Sequence, residues 1–274
     1  GTWTAEVRSD EPGTLNLQMQ RATKHSNMGT NYKVSELSGL DPAALKGSNV
    51  PVKFEINRDA GTISFTGTFN EGLGHGEFQF TAKPDYISGM KTLGYSDVED
   101  KAYELTALDV SRAFAKEIRD LGFKTDLKEL IEARIFNVGR EQVEGLKSVG
   151  ITNLPLKKLV EYQIFHVTPD YIRQMRASFP KIDMDQVVAM RIHNATPEFA
   201  QEMAKLGYSN LSAEELINFR IHGVSPEFIR EVGELGLKNL SAEQLVQFRI
   251  FGVGRDQISD LAKEGYTGLA PETL

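Results

Sequence analysis

The chain has 274 residues, 40% of them hydrophobic and 25% charged, a composition of folded protein rather than of disordered or fibrous chain. Its 31 lysines and arginines against 38 aspartates and glutamates leave a net charge of -7, which counts against nonspecific binding to nucleic acid or anionic lipid. With no cysteine, disulfides, cysteine-ligated zinc, iron–sulfur clusters and thiol catalysis are excluded, and no apolar run reaches the ~18 residues of a membrane span.

The chain opens on Gly1 without a signal peptide or presequence, and reads as a fragment left after tag removal from a longer protein. An extracytoplasmic setting, periplasmic or secreted, is the expectation for its location. Residues 1–82 then alternate. Trp3, Ala5 and Val7 are followed by Leu15, Leu17 and Met19, by Val52, Phe54 and Ile56, by Ile63, Phe65 and Phe69, and by Phe78 and Phe80. A period of two with one apolar face predicts an antiparallel sheet of five or six strands, as a curved sheet, half-barrel or sandwich. Asp59-Ala60-Gly61 and Asn70-Glu71-Gly72 read as hairpin loops. Asp41-Pro42-Ala43-Ala44-Leu45 reads as a single helical turn, capped by the aspartate. Gly72-Leu73-Gly74-His75-Gly76 lacks the helix and the lysine that a phosphate loop needs, and reads as a hairpin bend.

From about residue 83 the period lengthens. Tyr86, Phe114, Gln142, Tyr171, Phe199, Phe228 and Gln257 recur every 28 or 29 residues. Eight residues after each stands Gly94, Gly122, Gly150, Phe179, Gly207, Gly236 or Gly265. Thr168, Thr196 and Ser225, each followed by proline, are caps that open a first helix, and the glycine ends it in a left-handed conformation. Ser212-Ala213-Glu214-Glu215 and Ser241-Ala242-Glu243-Gln244 are capping boxes that open a second helix. One such pair cannot bury its apolar stripe alone, so the repeat predicts a solenoid. Seven starts are readable, the last one incomplete at 269–274. The β domain joins the first without a linker and is expected to cap it.

No pattern for bond-making chemistry is readable, and no catalytic residue, metal or cofactor is expected. His193 and His222 share one repeat position with Phe136, Phe165 and Phe251 and read as partly buried packing. Stacked helices hold equivalent residues ~8–10 Å apart, whereas zinc needs its ligands ~2.0–2.1 Å from the ion. Asp170, Glu198, Glu227 and Asp256 suit the positive ends of helices. Arg134, Gln163, Arg191, Arg220 and Arg249 occupy one position in successive repeats. Arg134, Arg191, Arg220 and Arg249 are the candidate binding residues, a cationic stripe that grips acidic peptides or polyanions. In the competing and simpler reading, each arginine pairs with a helix-start carboxylate, as Arg220 with Glu227, within a region of 24 basic and 29 acidic residues.

Two segments, Phe136-Asn137-Val138-Gly139-Arg140 running to Gly150-Ile151 and Phe251-Gly252-Val253-Gly254-Arg255 running to Gly265-Tyr266, resemble the helix-hairpin-helix DNA-binding motif. That resemblance implies backbone amides holding a DNA phosphate; the repeats with Thr168-Pro169, Thr196-Pro197 and Ser225-Pro226 place proline there, which removes a donor. The whole layout is also a resemblance. A phenylalanine-rich hairpin over 61–80 is followed by Thr/Ser-Pro-Glu-Phe first helices and Arg-Ile-His-Gly-Val second helices. It is similar to the extracytoplasmic region attached to bacterial membrane metallopeptidases of the beta-lactam-sensor antirepressor type. The zinc-peptidase signature is absent, so the resemblance implies a sensor or partner-binding ectodomain without peptidase activity.

The expectation is therefore an α+β fold: a small antiparallel β-sheet domain over 1–82 and an α-solenoid of 28–29-residue helix-pair repeats over 83–274. The expected function is a non-catalytic scaffold or sensor that binds a protein or peptide along an extended face, without membrane insertion. Nucleic-acid binding through the hairpins is one alternative. The other is a small ligand inside the β domain, in a cavity lined by Trp3, Phe54, Phe65 and Phe80.

Overall fold

The computed structural model describes residues 1–21, 27–237 and 239–265; His25 and the expected further helix at 269–274 lie outside the described residues. Six strands, β1 (Thr2–Val7), β2 (Thr14–Gln20), β3 (Asn27–Lys33), β4 (Val50–Asn57), β5 (Gly61–Asn70) and β6 (Leu73–Ala82), form one antiparallel sheet in the order β3-β2-β1-β6-β5-β4. The fold is α+β, as the two periods require. Alternation sorts the two faces. Trp3, Leu15, Leu17, Phe54, Ile63 and Phe65 are buried on one, while Thr4, Gln18 and Glu77 face solvent on the other.

Cross-strand register puts Phe54, Phe65 and Phe78 in one row over β4, β5 and β6. Their rings lie 4.6 and 5.9 Å apart, and the Trp3 indole meets Phe54 edge-on at 5.4 Å. Each such buried side chain contributes roughly 1.5–3 kcal/mol. Trp3 fits because β6 carries no side chain beneath it. A Cβ at Gly76 would lie 2.0 Å from the Thr66 carbonyl oxygen and 2.8 Å from Trp3 Nε1. The indole crosses there and donates Nε1 to the Thr66 carbonyl at 3.1 Å.

Thirteen helices follow among the described residues: α1 (Pro84–Thr92), α2 (Val98–Ala107), α3 (Arg112–Asp120), α4 (Leu127–Ile135), α5 (Arg140–Lys147), α6 (Leu156–Ile164), α7 (Pro169–Ser178), α8 (Met184–Ile192), α9 (Pro197–Lys205), α10 (Ala213–His222), α11 (Pro226–Glu234), α12 (Ala242–Phe251) and α13 (Arg255–Lys263). Odd-numbered helices are first helices, even-numbered ones second helices. The caps are formed. Thr168, Thr196 and Ser225 accept the amides of Tyr171, Phe199 and Phe228 at 3.2 Å. Capping boxes close at Ser212 and Ser241, and also at Asp126 and Asp183. A cap of this kind stabilises a helix by about 1 kcal/mol.

First helices end where Gly94, Gly122, Gly150, Gly207, Gly236 and Gly265 adopt φ from +77° to +99°. Second helices turn at an equivalent left-handed residue with φ from +52° to +71°. There the chain uses Asp109, Asn137, His166, Asn194, Gly223 and Gly252. Short polar side chains tolerate this region better than most.

The secondary structure changes at residue 83, but the contacts do not divide there. The chain splits into two compact units, Gly1–Arg140 and Glu141–Leu274. In the first, the sheet's buried face is closed by short 3-10 turns at Val34–Glu36 and Pro42–Lys46 and by α2, whose Tyr103 and Ala107 belong to the sheet's own core. Arg58 donates to the Thr106 and Ala107 carbonyls at 3.2 and 2.5 Å, and the Tyr32 hydroxyl donates to Ala107 at 3.0 Å. The Asp59 carboxylate takes the amide, Nε and Nη2 of Arg112 at 2.6–3.2 Å. In the second unit, α8 packs on α10, α10 on α12, and α7 on α9.

Candidate functional site

The four candidate arginines share one environment. Each stacks over the aromatic ring that opens the first helix of its own pair. Arg134 lies 5.5 Å from the centre of Phe114, Arg191 4.9 Å from Tyr171, Arg220 3.7 Å from Phe199 and Arg249 4.8 Å from Phe228. Three of them also reach back one pair to a carbonyl at the end of the preceding second helix. Arg134 Nε donates to Leu108 at 3.3 Å, Arg191 Nε to Phe165 at 3.1 Å, and Arg249 Nε to His222 at 3.4 Å. A cation at a helix C-terminus meets both an orphan carbonyl and the negative end of the dipole. Arg220 has the closest ring, and its Nε is buried without a hydrogen-bond partner.

The pairing with helix-start carboxylates differs from expectation. Arg134 meets Asp109, the left-handed residue after α2, at 2.7 Å. Among the described residues, no carboxylate pairs with Arg191, Arg220 or Arg249. Glu227, the partner expected for Arg220, pairs with Arg230 on its own helix at 3.5 Å, and Asp170 pairs likewise with Arg173 at 2.7 Å. The Glu198 and Glu227 carboxyls are held below their ordinary range by their own backbone amides and by the cap hydroxyls of Thr196 and Ser225. Asp170, Glu198 and Glu227 are thus engaged locally, whereas Asp185, in the first turn of α8, meets Lys158 of α6 at 3.0 Å. Burial pushes the Tyr171 phenol upward, with the Arg191 charge opposing it.

Immediately after each ladder residue stands an isoleucine that sequence reasoning passed over. In the second unit Ile164, Ile192, Ile221 and Ile250 are 45%, 46%, 50% and 54% exposed. In the first unit Ile135 holds the same position and is also exposed. Packing does not demand this uniformity. Two residues earlier, where the side chain is buried, the same five helices carry Ala133, Tyr162, Met190, Phe219 and Phe248. The buried position varies, whereas the exposed one is isoleucine throughout.

The first pair shows what this position does when it is covered. Its counterpart of the isoleucine is Ala107, 1% exposed, and one turn earlier stands Tyr103. Both sit in the sheet's core, with Tyr103 stacked on Phe78 at 5.8 Å and edge-on to Phe80 at 5.6 Å. Burial pushes the Tyr103 phenol up to about 12. In the second unit the equivalent i, i+4 pairs are Val160 and Ile164, Val188 and Ile192, Ile217 and Ile221, and Val246 and Ile250. The signal was available in the repeat alignment, but an isoleucine in an amphipathic helix reads as core.

The other expectations divide. Phe136, Phe165 and His222 are partly buried as expected, whereas His193 and Phe251 are exposed. No group of three or more histidines and carboxylates that could hold a metal ion occurs among the described residues. At the two hairpins resembling a DNA-binding motif, one backbone amide is taken by a carboxylate of the chain itself. Arg140 N donates to Glu117 Oε1 at 2.8 Å, and Arg255 N to Glu231 Oε1 at 3.3 Å. In the β domain, Trp3, Phe54 and Phe65 fill with direct ring contacts the space that a ligand would need, and Phe80 is spent on Tyr103. Among the described residues no helix is long and apolar enough to cross a membrane. No protein-family model matches the chain, and a search of curated proteins finds no significant relative.

Proposed function

We propose that the chain is a non-catalytic module, scaffold or sensor in kind, that binds a protein or peptide at the exposed ends of the second helices of its second unit, stacked as a solenoid. One observation carries this reading: isoleucine recurs at an exposed position in five second helices while the buried position beside it varies. An exposed aliphatic side chain contributes little to folding, and its repetition at one place on the second helices of the second unit makes an apolar row available to a partner. In the first pair that place is taken by the chain's own sheet, through Tyr103 and Ala107.

The test is selection of a random-peptide display library on the full chain, repeated on an Ile192→Ser/Ile221→Ser variant. Both side chains are exposed, so the variant is expected to keep its melting temperature. Binders that enrich on the parent and fail on the variant support the reading. A binder pool indifferent to the two isoleucines, or no binders at all, removes it.

A further inference from the structure

Building on the binding reading above, we infer that the second unit takes an acidic peptide in the polyproline II conformation, with an aliphatic side chain at every third residue. The argument starts from spacing. Helices α8, α10 and α12 pack in succession, and packed helices lie ~8–10 Å apart. Ile192, Ile221 and Ile250 lie in the last turn of these helices, so an occupant that meets all three presents apolar groups on one face at about that interval. A β-strand repeats its face at roughly 6.6 Å and again at roughly 13 Å, and misses it. An α-helix reaches about 10.5 Å only at its seventh residue, just beyond that range. A polyproline II helix has three residues per turn and a 3.1 Å rise, so the same face returns at about 9.3 Å. Its backbone carbonyls make no internal hydrogen bonds and stay open to donors.

Charge supplies the second half. Arg191, Arg220 and Arg249 directly precede the three isoleucines, and no carboxylate among the described residues pairs with them. A guanidinium stacked on a ring is held in place and can still donate through its remaining N–H groups. Acidic side chains between the aliphatic positions of the peptide would meet one arginine per turn. Exposed acids of the same helices, Glu214 and Glu243, lie near their opposite ends, roughly 10 Å away at 1.5 Å per residue; Asp185, at the matching place on α8, is paired with Lys158 at 3.0 Å. The two glutamates repel an acidic peptide and confine it to the arginine end.

The probe is a fluorescein-labelled peptide of four Pro-Glu-Leu triplets, titrated with the full chain and followed by anisotropy. Saturable binding is expected, weakened at least tenfold by Ile192→Ser/Ile221→Ser and abolished when the peptide's glutamates are replaced by lysines. Should the double variant lose its melting transition, Ile192→Thr/Ile221→Thr takes its place. Equal binding of the lysine peptide overturns the inference, as does equal binding of an alternating Glu-Leu peptide or of a helical peptide with leucine every seventh residue. Isoleucine-dependent adsorption to phosphatidylglycerol vesicles without peptide binding overturns it too, and makes the row a lipid contact. The two readings fail separately. Library binders that need the isoleucines, beside a silent Pro-Glu-Leu peptide, sink the polyproline II inference alone; no isoleucine-dependent ligand of any sort sinks both.

Discussion

The end of α2 and the ends of α8, α10 and α12 are the same place in the repeat under two conditions. At α2 the position is Ala107, small and buried, with Tyr103 a turn before it against Phe78 and Phe80. At α8, α10 and α12 it is Ile192, Ile221 and Ile250, large and about half exposed. The helix-end carbonyls differ as well. At α2 the sheet side takes the Thr106 and Ala107 carbonyls through Arg58 and Tyr32, beside Arg134 on Leu108, and Thr106 stands where all but one of the later described pairs carry arginine. One helix end therefore has two uses in one chain: sealed against a sheet at Ala107, and left about half exposed at Ile192, Ile221 and Ile250.

The sharpest way to break this comparison is Tyr103→Ala. Removing a buried ring at the seam of sheet and helix should cost about 3–5 kcal/mol, read by urea unfolding through Trp3 fluorescence. A loss below about 1 kcal/mol would mean that α2 is not seated on the sheet. Next comes Ala107→Ile, which gives α2 the side chain of the later pairs. There is no room for it, and overpacking should destabilise by about 1–3 kcal/mol in the same assay.

A smaller effect belongs to Asp59. The Arg112 guanidinium beside it, helped by the Arg112 amide, holds its carboxyl below the ordinary range, against the opposing effect of burial. A depressed folded pKa adds stability that is fully present above the unfolded value and lost as pH falls through the folded one. Unfolding midpoints should therefore drop more in the parent than in Asp59→Asn as pH is lowered below about 3.8, the ordinary value. Arg112 is 44% exposed in this pair, so the difference should stay within about 1 kcal/mol. Parallel pH profiles would remove the pair from the stability of the first unit. The smallest effect is Ile221→Ala, expected within about 0.5 kcal/mol. A cost of several kcal/mol would show Ile221 to be core and would dissolve the comparison.

Much of this architecture was legible because each element carries its own period. Strands β1, β2, β4, β5 and β6 alternate apolar and polar, and the helix pairs announce their starts with Thr-Pro, Ser-Pro and Ser-Ala-Glu. Strand β3 was not, since among Asn27–Lys33 only Tyr32 is fully buried and an edge strand has one neighbour to pack against. The arginine position was found, but its partner was misread for a physical reason. A carbonyl oxygen belongs to every residue and leaves no mark in a sequence, whereas Glu227 stood in plain view and was engaged by Arg230 three residues on. The hairpin glutamates were silent for the same reason: Glu117 and Glu231 meet main-chain amides.

The link from arginine to the preceding helix end also bears on how a chain of this kind changes length. A side chain of one pair meets the main chain of the pair before, and a main-chain carbonyl asks nothing about which residue carries it. Leu108, Phe165 and His222 serve equally. A duplicated block of 28 or 29 residues would bring its own donor and find an acceptor already waiting. Deletion of a whole block would heal in the same manner. Insertions of other sizes would leave donor and acceptor out of step, so the number of pairs is free to drift over generations while the length of each is not.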